Sequence, residues 1–154
     1  MVFDKQGKKS RKIRFFWLIK IYQISKMSNK EKGAKAEREL YEMFIDNCFR
    51  CVRVAGSGMM ENTACDLIAG NKNKKFCIEV KASKGKYKYI SKKQIEEFMI
   101  FSEIFGLTPI IAVRFNHEGW FFISPHDLEN SGRNFAVSLK LAREKGKKFS
   151  QAFC

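Results

Sequence analysis

The sequence predicts a single α/β domain built on a central mixed five-stranded sheet flanked by helices on both faces. Three observations carry this reading. A helix-period segment at 33–47 opens the patterned part of the chain. Three strand-like runs follow at hairpin spacing, and a second helical segment separates them from two continuous apolar runs at 109–115 and 120–123. The 154 residues, 45% of them hydrophobic, suffice for one domain with a real core, and neither an internal repeat nor an interdomain linker is visible.

In 33–47, Ala36, Leu40, Met43 and Phe44 make an apolar stripe, and Lys35, Glu39, Glu42 and Asp46 make a polar one. Glu37 breaks the pattern: it lies three residues before Leu40 and seven before Phe44, so it projects from the inner face. A carboxylate there needs a metal, an Arg or a backbone donor as partner. Residues 49–54 alternate as a strand, 55–64 read as a mobile loop with two glycines, and 65–69 form a second strand. Gly70-Asn71-Lys72-Asn73 has the composition of a tight hairpin turn, and 76–82 is a third strand, expected at the centre of the sheet.

Residues 83–93 hold Lys84, Lys86, Lys88, Lys92 and Lys93 with Tyr87 and Tyr89 between them and no acid. Such a stretch suits contact with nucleic acid, its cations meeting phosphates and its rings stacking on sugars or bases; a solvated loop is the plainer alternative. Ser91 is placed to cap a helix running to about Phe105, where Gly106 ends it, with Gln94 in its first turn. The strand at 109–115 is apolar throughout, as buried strands are. The strand at 120–123 has no polar face and is expected to be covered on one side by the core and on the other by a second subunit. One helical turn at 125–129, a short helix at 138–145 and a basic tail complete the chain.

Charge narrows the function. Lys and Arg number 30 against 16 Asp and Glu, for a net +14, which favours a polyanionic partner, nucleic acid before an anionic membrane. Residues 1–28, with eight Lys or Arg against one Asp, read as a basic, mobile extension, and residues 29–154 as the folded domain. The apolar run 15–19 is too short to span a bilayer. Cys48 and Cys51 have CxxC spacing, but no second Cys or His pair follows, which disfavours zinc. Five cysteines without a secretory signal point to the reducing cytoplasm.

The chemistry centres on Asp66 and Glu79, two carboxylates on adjacent strands of the predicted hairpin, in apolar surroundings. Packed there without a cation they repel and their pKa values rise; a hard divalent ion, Mg²⁺ or Mn²⁺, resolves the conflict. Glu79 and Lys81 are two apart on one strand and share a face. A metal, its ligand and an ammonium side by side suit phosphodiester hydrolysis, with Lys81 offsetting charge that develops on phosphorus. A structural Asp beside a Glu–Lys ion pair would give the same triplet.

Four blocks, in order, carry a resemblance: Gly33-Ala34-Lys35-Ala36-Glu37-Arg38-Glu39-Leu40, Val52-Arg53-Val54-Ala55-Gly56-Ser57, Asp66-Leu67-Ile68-Ala69-Gly70 and Cys77-Ile78-Glu79-Val80-Lys81. Over residues 30–123 the chain resembles the archaeal Holliday-junction resolvases of the restriction-endonuclease-like superfamily, whose signature is an Asp followed by Glu-x-Lys. The resemblance implies a restriction-endonuclease-like fold and a homodimer that cuts four-way DNA junctions by paired nicks, with Mg²⁺ as cofactor and Mn²⁺ able to substitute. It implies Asp66, Glu79 and the Val80 carbonyl as metal ligands, Lys81 as the catalytic lysine, and Glu37 beside the metal. It also implies Arg38 and Arg53 as phosphate contacts, Ser57 in a loop near the scissile strand, and Gln94 at the site's rim. The chain departs from the pattern in a longer loop between Ser57 and Asp66 and in the extension before residue 29. Two other readings stay open: a nuclease of the same superfamily acting on flaps, damaged sites or duplex, and a DNA-binding protein that keeps the fold without cutting. Membrane-surface binding rests on the N-terminal segment alone.

Overall fold

In the computed structural model, residues 29–54 and 65–154 are described; the expected extension at 1–28 and the loop at 55–64, with Ser57 in it, lie outside the described residues. Helix α1 (Asn29–Asp46) buries Ala36, Leu40 and Phe44, the stripe its 3.6-residue period dictates. It ends through Cys48, whose φ of 63° takes the left-handed position that glycine usually fills, while the Phe49 N–H donates to the Phe44 carbonyl at 3.0 Å. Gly33–Cys154 forms one compact unit.

Strands β1 (Arg50–Arg53), β2 (Leu67–Gly70) and β3 (Lys75–Ser83) pair antiparallel in sequence order. The turn between β2 and β3 is held by Asn71, whose side-chain oxygen accepts from the N–H groups of Asn73 and Lys74. β3 then pairs in parallel with β5 (Thr108–Phe115), and β5 pairs antiparallel with β6 (Gly119–Ile123). The expected mixed five-stranded sheet results, in the order β1-β2-β3-β5-β6, with β3 at its centre. The parallel β3–β5 step requires a long crossover, and the chain uses it for β4 (Tyr87–Ser91) and helix α2 (Lys92–Phe105). The Ser91 hydroxyl caps α2 by accepting from the Gln94 N–H at 3.1 Å, and Gly106 (φ 63°) ends it.

The sheet is covered on both faces. On one side Phe76, Ile78, Val80, Trp120 and Phe122 meet the apolar stripe of α1. On the other Cys77, Ile111, Val113, Phe121 and Ile123 meet Ile95 and Phe98 of α2. Cys65 and Cys77 pack there as small hydrophobes, and burial pushes both thiols up to about 12. Glu39, assigned by periodicity to the polar stripe, accepts from Trp120 Nε1 at 2.9 Å and Arg114 Nε at 3.1 Å, and so ties α1 to β6 and β5.

Three expectations require correction. The Lys-rich stretch contains β4, which joins β8 (Asn134–Ser138) and β7 (Glu129–Ser131) in a second, three-stranded sheet. The turn Pro125–Asp127 precedes β7, and helix α3 (Leu139–Lys145) follows β8. The basic tail is folded: helix α4 (Phe149–Phe153) inserts Phe153 among Phe44, Phe76 and Phe122, at ring distances of 4.8, 4.9 and 4.8 Å. β6, finally, leaves no face for a second subunit, because Trp120, Phe121, Phe122 and Ile123 are all buried within this chain, the last three partly by elements after residue 124.

Phe153 is fully buried and meets five other rings edge-on or tilted. Phe153→Ala is therefore expected to destabilise the domain by about 3–5 kcal/mol in urea unfolding. A loss below about 1 kcal/mol would mean that α4 adds nothing to the core.

Candidate active site

β3 carries Glu79 and Lys81 on the face opposite Ile78 and Val80, as its alternation requires. Asp66 stands immediately before β2, next to the last β2–β3 pair, Leu67↔Ile78. The Asp66 N–H donates to the Ile78 carbonyl at 3.0 Å, and its Oδ2 accepts from the Val80 N–H at 2.8 Å. The Asp66 carboxylate is thus bound to the residue that stands between Glu79 and Lys81.

Glu79 is only 4% exposed. Its Oε1 accepts from Lys81 Nζ at 2.5 Å and from Gln94 Nε2 at 2.7 Å. Burial pushes its carboxyl up to about 7; the Lys81 ammonium works against that shift, while the charges of Asp66 and then Glu37 add to it. The negative charges of Asp66 and Glu37 thus add to the cost of ionising the buried Glu79. Gln94 reaches Glu79 because the Ser91 cap fixes the first turn of α2 over β3, a contact that the sequence reading, which placed Gln94 at the rim, did not contain.

Glu37 of α1 finds its partner in Arg53 of β1, with Oε2 2.8 Å from Nη2. The inner-face carboxylate thus has an Arg, one of the three partners expected for it. Lys88 points inward from β4 and is half-buried; burial, and then the like charge of Lys81, hold its ammonium below the usual lysine range. The remaining candidates are dispersed. Lys84 and Lys86 are exposed in the β3–β4 connection, Lys92 lies over the Phe135 ring, Lys93 pairs with Glu97, and Arg38 is exposed on α1.

The donor set can be judged against a divalent cation on its own chemistry. Among the described residues no group of three His, Cys, Asp or Glu side chains converges as a preformed cage. What converges is two carboxylates, one of them buried and pushed up in pKa, beside an ammonium and an amide. Few protein oxygens and an unfavourable concentration of negative charge fit a hard ion that keeps several waters.

The raised Glu79 carboxyl has a measurable consequence for stability in EDTA. A group whose folded pKa exceeds its ordinary value contributes most below about 4.5 and loses that contribution as pH rises through about 7. Glu79→Gln, which mimics the neutral form, should therefore gain on the unmodified chain by roughly 1–3 kcal/mol between pH 5 and pH 8. Urea unfolding at the two pH values measures the gain, and a difference independent of pH would show that ionised Glu79 is accommodated without cost.

Comparison with known proteins places this geometry. Residues 28–153 match the family model of the archaeal Holliday junction resolvase, Hjc. The chain is 38% identical over 110 residues to the crossover junction endodeoxyribonuclease Hjc of Methanocaldococcus jannaschii, covering 71% of this chain and 78% of that protein. It is 31% identical over 131 residues to the Hjc of Archaeoglobus fulgidus, covering 80% and 96%. A solved structure of the Archaeoglobus fulgidus Hjc, a Holliday junction resolvase, superposes with a TM-score of 0.73 at 28% identity, over 78% of this chain and 98% of that one. The mixed sheet with its flanking helices is accordingly the restriction-endonuclease-like fold. With a family model spanning nearly the whole domain, and with relatives matched over most of their length, the chain belongs to the archaeal Holliday junction resolvase family.

Proposed function

We propose that this protein is a divalent-metal-dependent endonuclease that resolves four-way DNA junctions by paired, symmetric nicks during recombination and repair. One observation carries the reading: Glu79 is buried beside Asp66 and pushed up to about 7, with Lys81 at its side, in a chain of the resolvase family. The relatives named as crossover junction endodeoxyribonucleases support it.

In this reading Asp66, Glu79 and the Val80 carbonyl would hold Mg²⁺, with Mn²⁺ able to substitute, and Glu37 would add its charge to the site. A bound divalent ion would supply a water of lowered pKa and a polarised phosphoryl oxygen. The chain's own residues do the rest. Lys81 offsets charge developing on the phosphoryl oxygens, an electrostatic role that requires no change in its protonation. Gln94 holds Oε1 of Glu79 and so orients that carboxylate. Arg53 and Glu37 are 40% and 26% exposed, so their ion pair is worth little and is easily exchanged for a phosphate. Arg38 and the lysines Lys84, Lys86, Lys88, Lys92 and Lys93 extend the cationic surface, and Ser57, outside the described residues, keeps the catalytic part that the resemblance implies. Recognition then rests on where the phosphates lie and weakens steeply with salt.

Two paired cuts require two sites, which a homodimer provides on a roughly two-fold substrate. The surface that suits a second copy is α2, where Ile100, Ile104 and Phe105 are 58, 76 and 61% exposed and Phe105 stacks on Phe101 at 4.4 Å. Five unbridged thiols fit a cytoplasmic setting, and no helix among the described residues is long and apolar enough to cross a membrane. Residues 29–154 constitute the catalytic unit, and the basic extension before them is dispensable for cutting.

The central test compares four-way junction, flap and linear duplex substrates with Mg²⁺ or EDTA. Cutting is expected on the junction alone and only with the metal; equal cutting of simple duplex would favour a different substrate for the same chemistry. Glu79→Ala should abolish cutting while junction binding persists, since it removes a metal ligand and no cation. Turnover at the normal rate by that variant would remove Glu79 from the reaction. Deleting residues 1–26 should leave the cutting rate per enzyme unchanged, and a large loss would assign the extension a part in catalysis.

A further inference from the structure

The second sheet carries a feature that the proposed reaction does not use. Alternation along β4 sends Lys88 and Ile90 to one face and Tyr87 and Tyr89 to the other. The two tyrosine rings are each 55% exposed, with centroids 6.3 Å apart and planes 11° from parallel. Their cross-strand neighbours on β8, Ser138 and Ala136, are small and buried, so the rings stand above that strand. Two parallel aromatic faces held in water gain by being covered, and flat aromatic rings are what they cover best.

The surroundings say what kind of ring. Lys84 and Lys86 are exposed just before the pair, and Lys92 and Lys93 follow it; no Asp or Glu occurs from 84 to 95. Glu129, two strands away on the same face, accepts from the Ser138 hydroxyl at 3.2 Å. Aromatic faces framed by lysines match nucleic-acid bases flanked by phosphates. The opposite face of the same strand carries Lys88, close enough to Lys81 for their like charges to act on one another.

We infer that Tyr87 and Tyr89 form a stacking platform for DNA bases that have left the duplex stack, with Lys84 and Lys86 taking the adjoining phosphates. The inference rests on the proposed function, because bases inside a continuous duplex expose edges and not faces. Faces become available where stacking is interrupted, as at the branch point of a four-way junction. The platform thereby favours branched over linear DNA, a distinction that contacts to phosphates alone make poorly.

The test uses the full chain carrying Tyr87→Thr and Tyr89→Thr, which removes both rings and keeps residues that favour a strand. Tyr87→Phe with Tyr89→Phe is the conservative control. Each protein is titrated into a junction with 2-aminopurine at the branch point and into linear duplex of the same length, across a salt series. The Thr pair should bind the junction about tenfold or more weakly, with duplex affinity unchanged. The slope of log Kd against log salt should also stay the same, since no cation is lost. Stacking quenches 2-aminopurine, so quenching should vanish with the Thr pair and return with the Phe pair. Lys84→Gln with Lys86→Gln should do the opposite, lowering the salt slope and keeping the quenching. Unchanged junction affinity and quenching in the Thr pair, with an unmodified chain that still prefers and cuts junctions, would overturn this inference and leave the proposed function standing. A change in sedimentation mass on losing the rings would assign them to a second copy of the chain and overturn it as well. No junction preference in the unmodified chain would overturn the proposed function and the platform with it.

Discussion

Burying one carboxylate in the middle of a sheet imposes the arrangement around it. Glu79 lies on β3, which pairs with β2 on one side and β5 on the other and is covered above and below. An acid there must find donors within the protein or remain protonated. The chain supplies Lys81 from two residues along the strand and Gln94 from the first turn of α2, both to Oε1. The start of a helix is also where its dipole favours negative charge, so capping α2 at Ser91 serves the helix and the carboxylate together. Asp66 arrives one residue ahead of β2, and its charge pushes the Glu79 carboxyl further up instead of relieving it, which leaves the site favourable to a cation.

The two faces of the sheet divide the work. The face under α1 is a cluster of rings (Phe44, Phe49, Phe76, Phe149 and Phe153), closed by the last helix of the chain. Its rings form no part of the Glu79 pocket, to which α1 adds the charge of Glu37. The opposite face combines apolar packing with Glu79, Lys81 and Gln94, and it is there that α2 and the second sheet are laid down. A rigid aromatic layer on one side allows the other to carry an unfavourable buried charge without loss of the fold.

β4 links the two functions of that second side. It is a strand because its backbone pairs with β8 over five residues, not because its composition is apolar. Strand geometry then separates its side chains without further design, aiming lysine at the site and tyrosines at the surface.

How much of this was legible in the sequence follows from how local each signal is. The stripe on α1, the hairpin turn at Asn71, the cap at Ser91 and the stop at Gly106 depend on residues within a few positions of one another, and periodicity and turn chemistry revealed them. The approach of Asp66 to Glu79 and the sharing of a face by Glu79 and Lys81 were legible for the same reason, since a tight hairpin and a two-residue repeat leave little freedom. The second sheet was hidden because Lys88 and the exposed tyrosines disguise the alternation of β4, while the three exposed residues of β7 carry no apolar signal. The last helix was hidden because five residues are too few to display a helical period, although Phe149 and Phe153 were in plain view. By itself, then, the sequence determined the elements of the central sheet, the two helices that flank it and the charged residues that meet across one hairpin. The tertiary structure alone decided that Arg53 takes Glu37, that Arg114 and Trp120 take Glu39, and that Gln94 takes Glu79. Those partners are 15 or more residues apart in the chain, and no local pattern selects one distant donor over another until packing has brought them together.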